Sequence, residues 1–592
     1  MNIYASRIAS LQQILLDKKI DICIFPMSDP HLSEYIPEYW KYIQWLSGFS
    51  GSAGILIVTI NDAFLWVDGR YHIQAKKELE NTNIKMEPLD SINSFSKWII
   101  QNVENGSRIY LDSKIISLKF KENLQNALLG FDIDFVLDLD LINLIRIDSP
   151  PLPSNKIFIH EEEFIGESTP NKIAKIRNSL KDANYLLISS LDDIAWITNL
   201  RGSDVEYNPV FLSYLLISNN EAILFVDLSR VENCVLSYLK DVNVRVESYF
   251  NLELHLKNIN SCNILMDFNK TTLYTASLLE EKNILINKIS PSTILKSLKN
   301  DRELKHIENA MDADGVAMCK FFMWFEEIFS KQKSLSELDI ANKLSEFRSL
   351  NEFYISDSFG SIVGFNANGA LPHYRATETS FAYIQGDGLL LIDSGAQYKN
   401  GTTDITRVIP IGNITKEQKR DYTLTLKAHI NMASAIFPKH IAMPLLDSLT
   451  RAPLWREGID YIHGTGHGVG YFLNVHEGPQ VLSYFAEIND VNKAEAGMII
   501  SIEPGIYRKD KWGVRLENLV VLREAPNLES NNFLYFETLT MCPFELSCID
   551  IDLLSKDEII WINNYHKKVF ERLSRYFSGD ELNWLSLKTK EL

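Results

Sequence analysis

Five ionisable side chains stand out by type and setting: Asp393, Asp404, His467, Glu503 and Glu517. Asp393 closes the short apolar run Leu389–Ile392, which reads as a buried strand. Asp404 follows eleven residues later, past a Lys399-Asn400-Gly401 turn signal. Two strands joined by that hairpin bring the two carboxylates side by side. Close carboxylates repel each other unless a proton or a cation sits between them. The other reading has each aspartate capping a turn or pairing with an arginine such as Arg407. His467 lies in the Gly-rich run His463–Gly470, Glu503 in Ser501-Ile502-Glu503-Pro504-Gly505, and Glu517 in Val514-Arg515-Leu516-Glu517-Asn518. Two Asp, one His and two Glu supply mostly oxygen donors, enough for a pair of divalent cations.

In order and local setting these five resemble the metal ligands of the pita-bread metallopeptidases, the group of methionine aminopeptidase, prolidase and aminopeptidase P. The phrases LIDSGAQYKNGTTDITR, HGTGHGVGYFLNVHEGP and EPGIY…GVRLEN are most similar to the long, three-domain Xaa-Pro aminopeptidases, and the resemblance runs through nearly the whole chain. It implies an α/β (α+β) architecture: two related creatinase-like α/β domains, residues 1–152 and 153–302, then a pita-bread catalytic domain with a helical extension, residues 303–592.

The resemblance also implies roles. Asp393 chelates one metal, Asp404 and Glu517 span both, and His467 and Glu503 complete the other. Glu503 carries the proton taken from the attacking water. Four carboxylates and one imidazole, without a thiolate, favour Mn²⁺, with Co²⁺ or Zn²⁺ as alternatives. His373, in Leu371-Pro372-His373-Tyr374, contacts the scissile group or its leaving nitrogen. His476, in Val475-His476-Glu477-Gly478-Pro479, bonds the substrate carbonyl as charge develops. His463 faces the same cavity and helps hold the proline side. Arg515, two residues before Glu517 and so on one strand face, braces a ligand carboxylate. Tyr471 and Phe472 are candidates for an apolar shelf under the proline ring.

The expected substrate is a short peptide with proline second. Prolidase, a dipeptidase on the same fold, is the nearest rival; a non-catalytic binding module of the kind some histone-chaperone subunits represent is the other. All five ligand positions carry residues able to coordinate, which favours the enzyme.

The elements that must position these groups can be traced along the chain. Its 592 residues suggest three or four domains, and a net charge of −18 argues against nucleic-acid or anionic-membrane partners. Six scattered cysteines form no CxxC pair and read as reduced thiols of a cytosolic protein. No secretory signal and no membrane-length apolar run is visible, so the expectation is a cytoplasmic protein.

Residues Ala5–Leu16 read as a helix and Ile20–Ile24 as a strand. Trp45-Leu46-Ser47-Gly48-Phe49 precedes two apolar strands, Ile55–Ile60 and Phe64–Val67, ending at Asp68. The pattern recurs at Trp196-Ile197-Thr198-Asn199-Leu200, Leu212–Ile217 and Ile223–Val226, ending at Asp227. The Trp-to-Asp distances are 23 and 31 residues, so the second copy carries an insertion. The copies part at Ser149-Pro150-Pro151-Leu152-Pro153, and Ser168-Thr169-Pro170 starts a helix in the second. A long helix runs from Asp301 past Glu327. The tail carries Ile559, Ile562 and Tyr565 on a helical stripe. In the resembled family this extension contributes to a homodimer contact; on its sequence alone such a stripe packs on its own domain.

Overall fold

The computed structural model of the chain describes residues 2–89, 92–331, 334–378, 380–526 and 529–592. They divide into two compact units, one of Met1–His160 with Glu167–Ser292, the other of Glu161–Gly166 with Thr293–Leu592.

The first unit contains two six-stranded sheets. In the first, the strands in spatial order are Ile84–Pro88, Ala63–Val67, Ile55–Thr59, Ile22–Pro26, Ser107–Leu111 and Ile133–Val136. In the second they are Arg245–Ser248, Ala222–Val226, Ser213–Ser218, Tyr185–Ile188, Asn263–Met266 and Ile284–Asn287. Numbered along the chain, both orders are 4-3-2-1-5-6. The directions match too. The first three strands of each sheet form an antiparallel meander, and the rest join in parallel. The repeat read from the two tryptophan phrases is therefore a repeat of fold. The extra residues of the second copy fall between Asn199 and Leu212, ahead of the Ser213 strand. Both apolar hairpins stand where alternation and turn residues put them.

The second unit opens with helix Asp301–Ser330. A capping box between Asn300 and Glu303 starts it, which satisfies two of the orphan N–H groups of its first turn. Its apolar positions feed three cores. Met318, Phe321 and Phe325 pack with Leu390 and Ile392, Cys319 lies with Leu389 and Leu391, and Ile307 and Met311 lie with Val469 and Leu519. The strand Gly388–Ser394 thus buries alternate residues in two different cores. That explains why Leu389–Ile392 is apolar at every position rather than at every second one.

This strand is central in a three-stranded antiparallel sheet, between Ile362–Phe365 and Ile405–Ile411. A six-stranded sheet follows, in the order Ile436–Pro438, Phe533–Thr538, Asn518–Glu524, Ile499–Ile502, Gly466–Gly468, Glu477–Leu482. The tail forms helices Lys556–Leu573 and Gly579–Lys588. Of the predicted stripe, Ile562 and Tyr565 are buried with Leu389, Leu391 and Val408, and Val569 joins them, whereas Ile559 is half-buried and outside this core. Among the described residues no helix is long and apolar enough to cross a membrane.

Candidate metal centre

Strand pairing explains how residues more than a hundred positions apart meet. Ser394 pairs with Ile405, so Asp393 and Asp404 emerge at the same end of the three-stranded sheet. Ile502 pairs with Asn518, so Glu503 and Glu517 emerge together from the six-stranded sheet. The Glu517 N–H donates to the Thr406 carbonyl at 3.2 Å, and Thr406 Oγ1 donates to Glu517 Oε2 at 2.7 Å, which ties the two sheets together. His467 lies on the neighbouring Gly466–Gly468 strand, its N–H bonded to Ser501 Oγ at 3.0 Å. The glycines flanking it are steric requirements. A Cβ on Gly466 would lie 1.8 Å from the Ser501 carbonyl oxygen, and one on Gly468 would lie 2.2 Å from that of Glu477. Arg451, fully buried, donates to the carbonyls of Tyr461 and His463 and holds the loop that enters this strand.

One ligand atom from each of Asp404, His467 and Glu517 can be chosen so that all lie within 4.8 Å of one another. His467 Nδ1 faces the Gly468 carbonyl at 3.0 Å, an oxygen that can only accept. The proton is therefore assigned to Nδ1, so that Nε2 carries the lone pair able to coordinate. That nitrogen stands 3.6 Å from Asp404 Oδ2 and 3.4 Å from Glu503 Oε1. Asp393, Asp404 and Glu517 are buried, whereas His467 and Glu503 are half-buried, so the cluster opens on their side.

Among the described residues, Asp393 Oδ1, Asp404 Oδ1 and Glu517 Oε1 are buried and face no hydrogen-bond donor. Stranded carboxylate oxygens are costly in a protein interior. Burial first, then Glu517, Asp393 and Glu503, raise the Asp404 carboxyl well above the usual carboxylate range. Burial first, then Glu503 and Asp393, do the same to Glu517. Cations among these oxygens relieve both penalties, so the donor set fits a metal centre.

Arg407 does not pair with either aspartate. Its guanidinium bonds the carbonyls of Thr406, Glu517, Cys542 and Pro543, Asn518 Oδ1 and the Tyr565 hydroxyl. It braces the backbone behind the ligands. Arg515 meets Asp393 instead, Nη2 to Oδ2 at 2.5 Å. Arg515 and Glu517 do not share one strand as the spacing predicted. Arg515 ends the Trp512–Arg515 strand, which pairs with Gly505–Arg508, and Glu517 precedes a strand of the other sheet.

Sequence reasoning missed Tyr507. Arg515 Nη1 donates to its hydroxyl at 2.8 Å, and that hydroxyl donates to His463 Nε2 at 2.8 Å. Burial pushes the Tyr507 hydroxyl up to about 12, so it keeps its proton. His463 Nδ1 faces the Gly464 carbonyl, so both ring nitrogens of His463 are engaged within the protein. The only signal for Tyr507 was a tyrosine four residues after Glu503. His476 stands against His467, ring centroids 4.3 Å apart and planes at 89°. His373 is half-buried in the turn after Asn366–Ala370. That turn is fixed by buried Glu337, which accepts from Asn368, the Tyr374 hydroxyl and the N–H groups of Phe365 and Ala382. Tyr471 and Phe472 form no shelf. Both are buried, and Tyr471 spends its hydroxyl on the Phe164 carbonyl within the core.

Comparison with known proteins agrees with this architecture. Residues 305–524 match the model of metallopeptidase family M24, and residues 532–592 match the C-terminal region of that peptidase. Residues 7–146 and 148–303 each match a creatinase/prolidase N-terminal domain. Xaa-Pro aminopeptidase 1 of Dictyostelium discoideum is 36% identical over 99% of this chain and 96% of its own length. The chain belongs to metallopeptidase family M24. Within it, two solved structures differ in how far they match. The X-prolyl aminopeptidase of Caenorhabditis elegans, a cytosolic enzyme with a di-nuclear active site, covers 100% of both chains at 31% identity and a TM-score of 0.95. The prolidase of Pyrococcus horikoshii OT3 covers 64% of this chain and 99% of its own, at 25% identity and a TM-score of 0.51. Two N-terminal creatinase-like domains followed by a pita-bread metallopeptidase domain are thus the architecture of this M24 chain.

Proposed function

We propose that this protein removes the N-terminal residue from peptides with proline at the second position. The observation that carries the reading is the end-to-end match to Xaa-Pro aminopeptidases of three-domain length around a carboxylate-rich centre with stranded ligand oxygens. The dipeptidase reading is weaker, since the prolidase leaves about a third of this chain unmatched. Domain limits at 1–152, 153–302 and 303–592 are supported by the two six-stranded sheets.

Asp393, Asp404, His467, Glu503 and Glu517 would hold two divalent cations. The all-oxygen-and-imidazole donor set favours Mn²⁺ over a thiolate-preferring ion. When bound, such a pair supplies Lewis acidity: it makes water nucleophilic near neutral pH and stabilises developing negative charge.

The chain's own residues do the rest. Glu503, on the open side, takes the proton of the attacking water and delivers it to the leaving proline nitrogen. His476 donates to the scissile carbonyl oxygen, where charge develops. His373 contacts the leaving nitrogen. Arg515, held by Tyr507 and so by His463, orients Asp393. A tertiary amide at proline has no N–H to offer, so recognition falls on ring shape and the carbonyl.

We place the protein in the cytoplasm by analogy with its solved relative, and separately read it as a homodimer. The dimer reading is supported by an exposed apolar surface. Trp455 and Tyr484 rings lie 6.2 Å apart, Tyr484 and Phe485 4.0 Å, and Leu449 and Ile488 are exposed on the same helix and loop.

The test is hydrolysis of Xaa-Pro-Xaa against Xaa-Ala-Xaa tripeptides and an Xaa-Pro dipeptide, with and without Mn²⁺. The parent is expected to cleave the first in a metal-dependent way. Glu503→Ala is expected to lose about 10²-fold or more. Equal cleavage of the two tripeptides rejects the proline specificity, and cleavage of the dipeptide alone makes it a prolidase.

A further inference from the structure

His476 is followed by a residue that the chemistry above does not use. Glu477 is buried, and its carboxylate lies between two buried lysines of the segment that leads into helix Asp301–Ser330. Lys299 Nζ bonds Glu477 Oε1, and Lys296 Nζ lies 3.6 Å from Oε2. The three side chains are 0%, 1% and 2% exposed for Glu477, Lys299 and Lys296. Three charges out of water are a poor device for stability, since well-packed apolar residues generally do as well or better. Their place in the sheet gives them another use.

Glu477 begins the Glu477–Leu482 strand and pairs with Gly468, the residue after His467. The pairing is irregular there: His467 lies opposite Val481, Gly468 opposite Glu477, and the register shifts between them. A short, Gly-rich strand such as Gly466–Gly468 specifies register weakly, and a slip of one residue turns every side chain to the other face. Such a slip would carry His476 away from His467. It would also pull Glu477 out from between the lysines and strand all three charges. Lys299 is itself fixed, because its N–H donates to the Gly497 carbonyl at 3.0 Å and Leu298 bridges Met498 just before the Ile499–Ile502 strand, which leads into Glu503.

We propose that Glu477 is a positioning residue, a register key whose seat between Lys296 and Lys299 holds His476 against His467. This rests on the reading of His476 as the donor to the substrate carbonyl.

The test compares the Mn²⁺-loaded parent with Glu477→Gln, Lys299→Arg and the double variant Glu477→Gln/Lys299→Met. kcat, KM, bound metal, Tm and amide hydrogen exchange over residues 471–482 are measured, with whichever peptide the parent cleaves as substrate. Glu477→Gln is expected to melt lower and to lose at least tenfold in kcat, with KM within threefold and metal content unchanged. Lys299→Arg keeps kcat within threefold. The double variant decides between roles, and it carries the test if Glu477→Gln does not fold. Removing one stranded lysine is expected to restore Tm, while kcat stays at least tenfold down and residues 471–482 exchange faster than in the parent. Recovery of kcat together with Tm would overturn the proposal and leave a structural ion cluster only. Parent-like exchange over 471–482 in the stable double variant overturns it whether or not the parent proves proline-specific, so a failure of the substrate reading is read separately.

Discussion

Asp404 sits with its Oδ1 facing no donor and three other carboxylates for neighbours, and the result is a proton held well above the usual carboxylate range. The sign of the consequence is fixed. A carboxyl whose folded pKa is raised destabilises the metal-free fold increasingly as pH climbs past the unfolded value of about 4. Cations that displace the proton reverse the effect. The metal-free protein is therefore expected to lose Tm as pH rises above about 4, whereas the metal-loaded protein holds it. Asp404→Asn keeps the shape and removes one repelling charge. At neutral pH its metal-free form should melt above the metal-free parent, because the buried carboxyl that resists ionisation is gone. It should nonetheless fail to bind two metals and fail to cleave peptide. Thermal melts with and without chelator, alongside metal analysis, check this; a metal-free variant that melts below the parent counts against the repulsion argument. At this scale the sequence was most legible. Charged residues in Gly-rich or apolar settings have few other reasons to be there, and Asp393, Asp404, His467, Glu503 and Glu517 each had such a setting. Tyr507 and Lys299 had none. Their partners come from distant segments, and a lone tyrosine or lysine carries no local mark of what it will meet.

Among elements, periodicity foretold those that bury a regular face and not those that change partners. The Leu389 strand and the Asp301 helix follow from apolar runs and spacing. The Arg515–Glu517 crossover does not. A two-residue alternation describes one strand and is silent where the chain leaves one sheet and enters another. The tail helix Lys556–Leu573 shows what an element contributes beyond packing. Tyr565 accepts from Arg407, which in turn holds the Glu517 carbonyl and Asn518. The next residue, His566, is buried and its Nε2 accepts from the Phe544 N–H at 3.1 Å. Burial, with Arg407 nearby, pushes the His566 imidazole down to about 4. A histidine depressed in this way costs nothing above its unfolded pKa of about 6.5. Stability is then lost as pH falls from there toward 4, because the unfolded chain takes up the proton first. Between pH 7 and 5 this amounts to about 2 kcal/mol. His566→Asn should melt lower at pH 7 for loss of the bond, yet show a shallower fall in Tm from pH 7 to 5 than the parent. Parallel pH slopes for the two proteins would assign the acid sensitivity elsewhere.

For the whole molecule, duplication was visible as two tryptophan phrases each followed by an apolar hairpin, and it proved to be two sheets of one strand order. What no linear pattern reveals is a surface assembled from separate segments. Trp455 ends the helix Asp447–Trp455, and Tyr484 and Phe485 belong to the loop after the Glu477–Leu482 strand. Arg451 stacks beneath Tyr484 and Phe485, at 4.6 and 5.6 Å, and so presents the rings outward. Phe485 remains 60% exposed and Ile488 57%, although the chain has core enough to bury such residues. Water penalises exposed apolar rings in mutual contact, as Trp455, Tyr484 and Phe485 are, and association with a second copy relieves the penalty without a further component. The same arginine holds the His463 carbonyl, so this surface is continuous with the frame of the metal centre. Light scattering should therefore give the parent a mass near twice 67.8 kDa at micromolar concentration. Phe485→Glu combined with Ile488→Glu puts two like charges on each face, and four at a symmetric contact. The variant should elute as a folded monomer with a Tm within a few degrees of the isolated parent subunit, since neither side chain is in a core. A parent that is monomeric, or a charged variant that still pairs, would show that this face is not what joins the subunits.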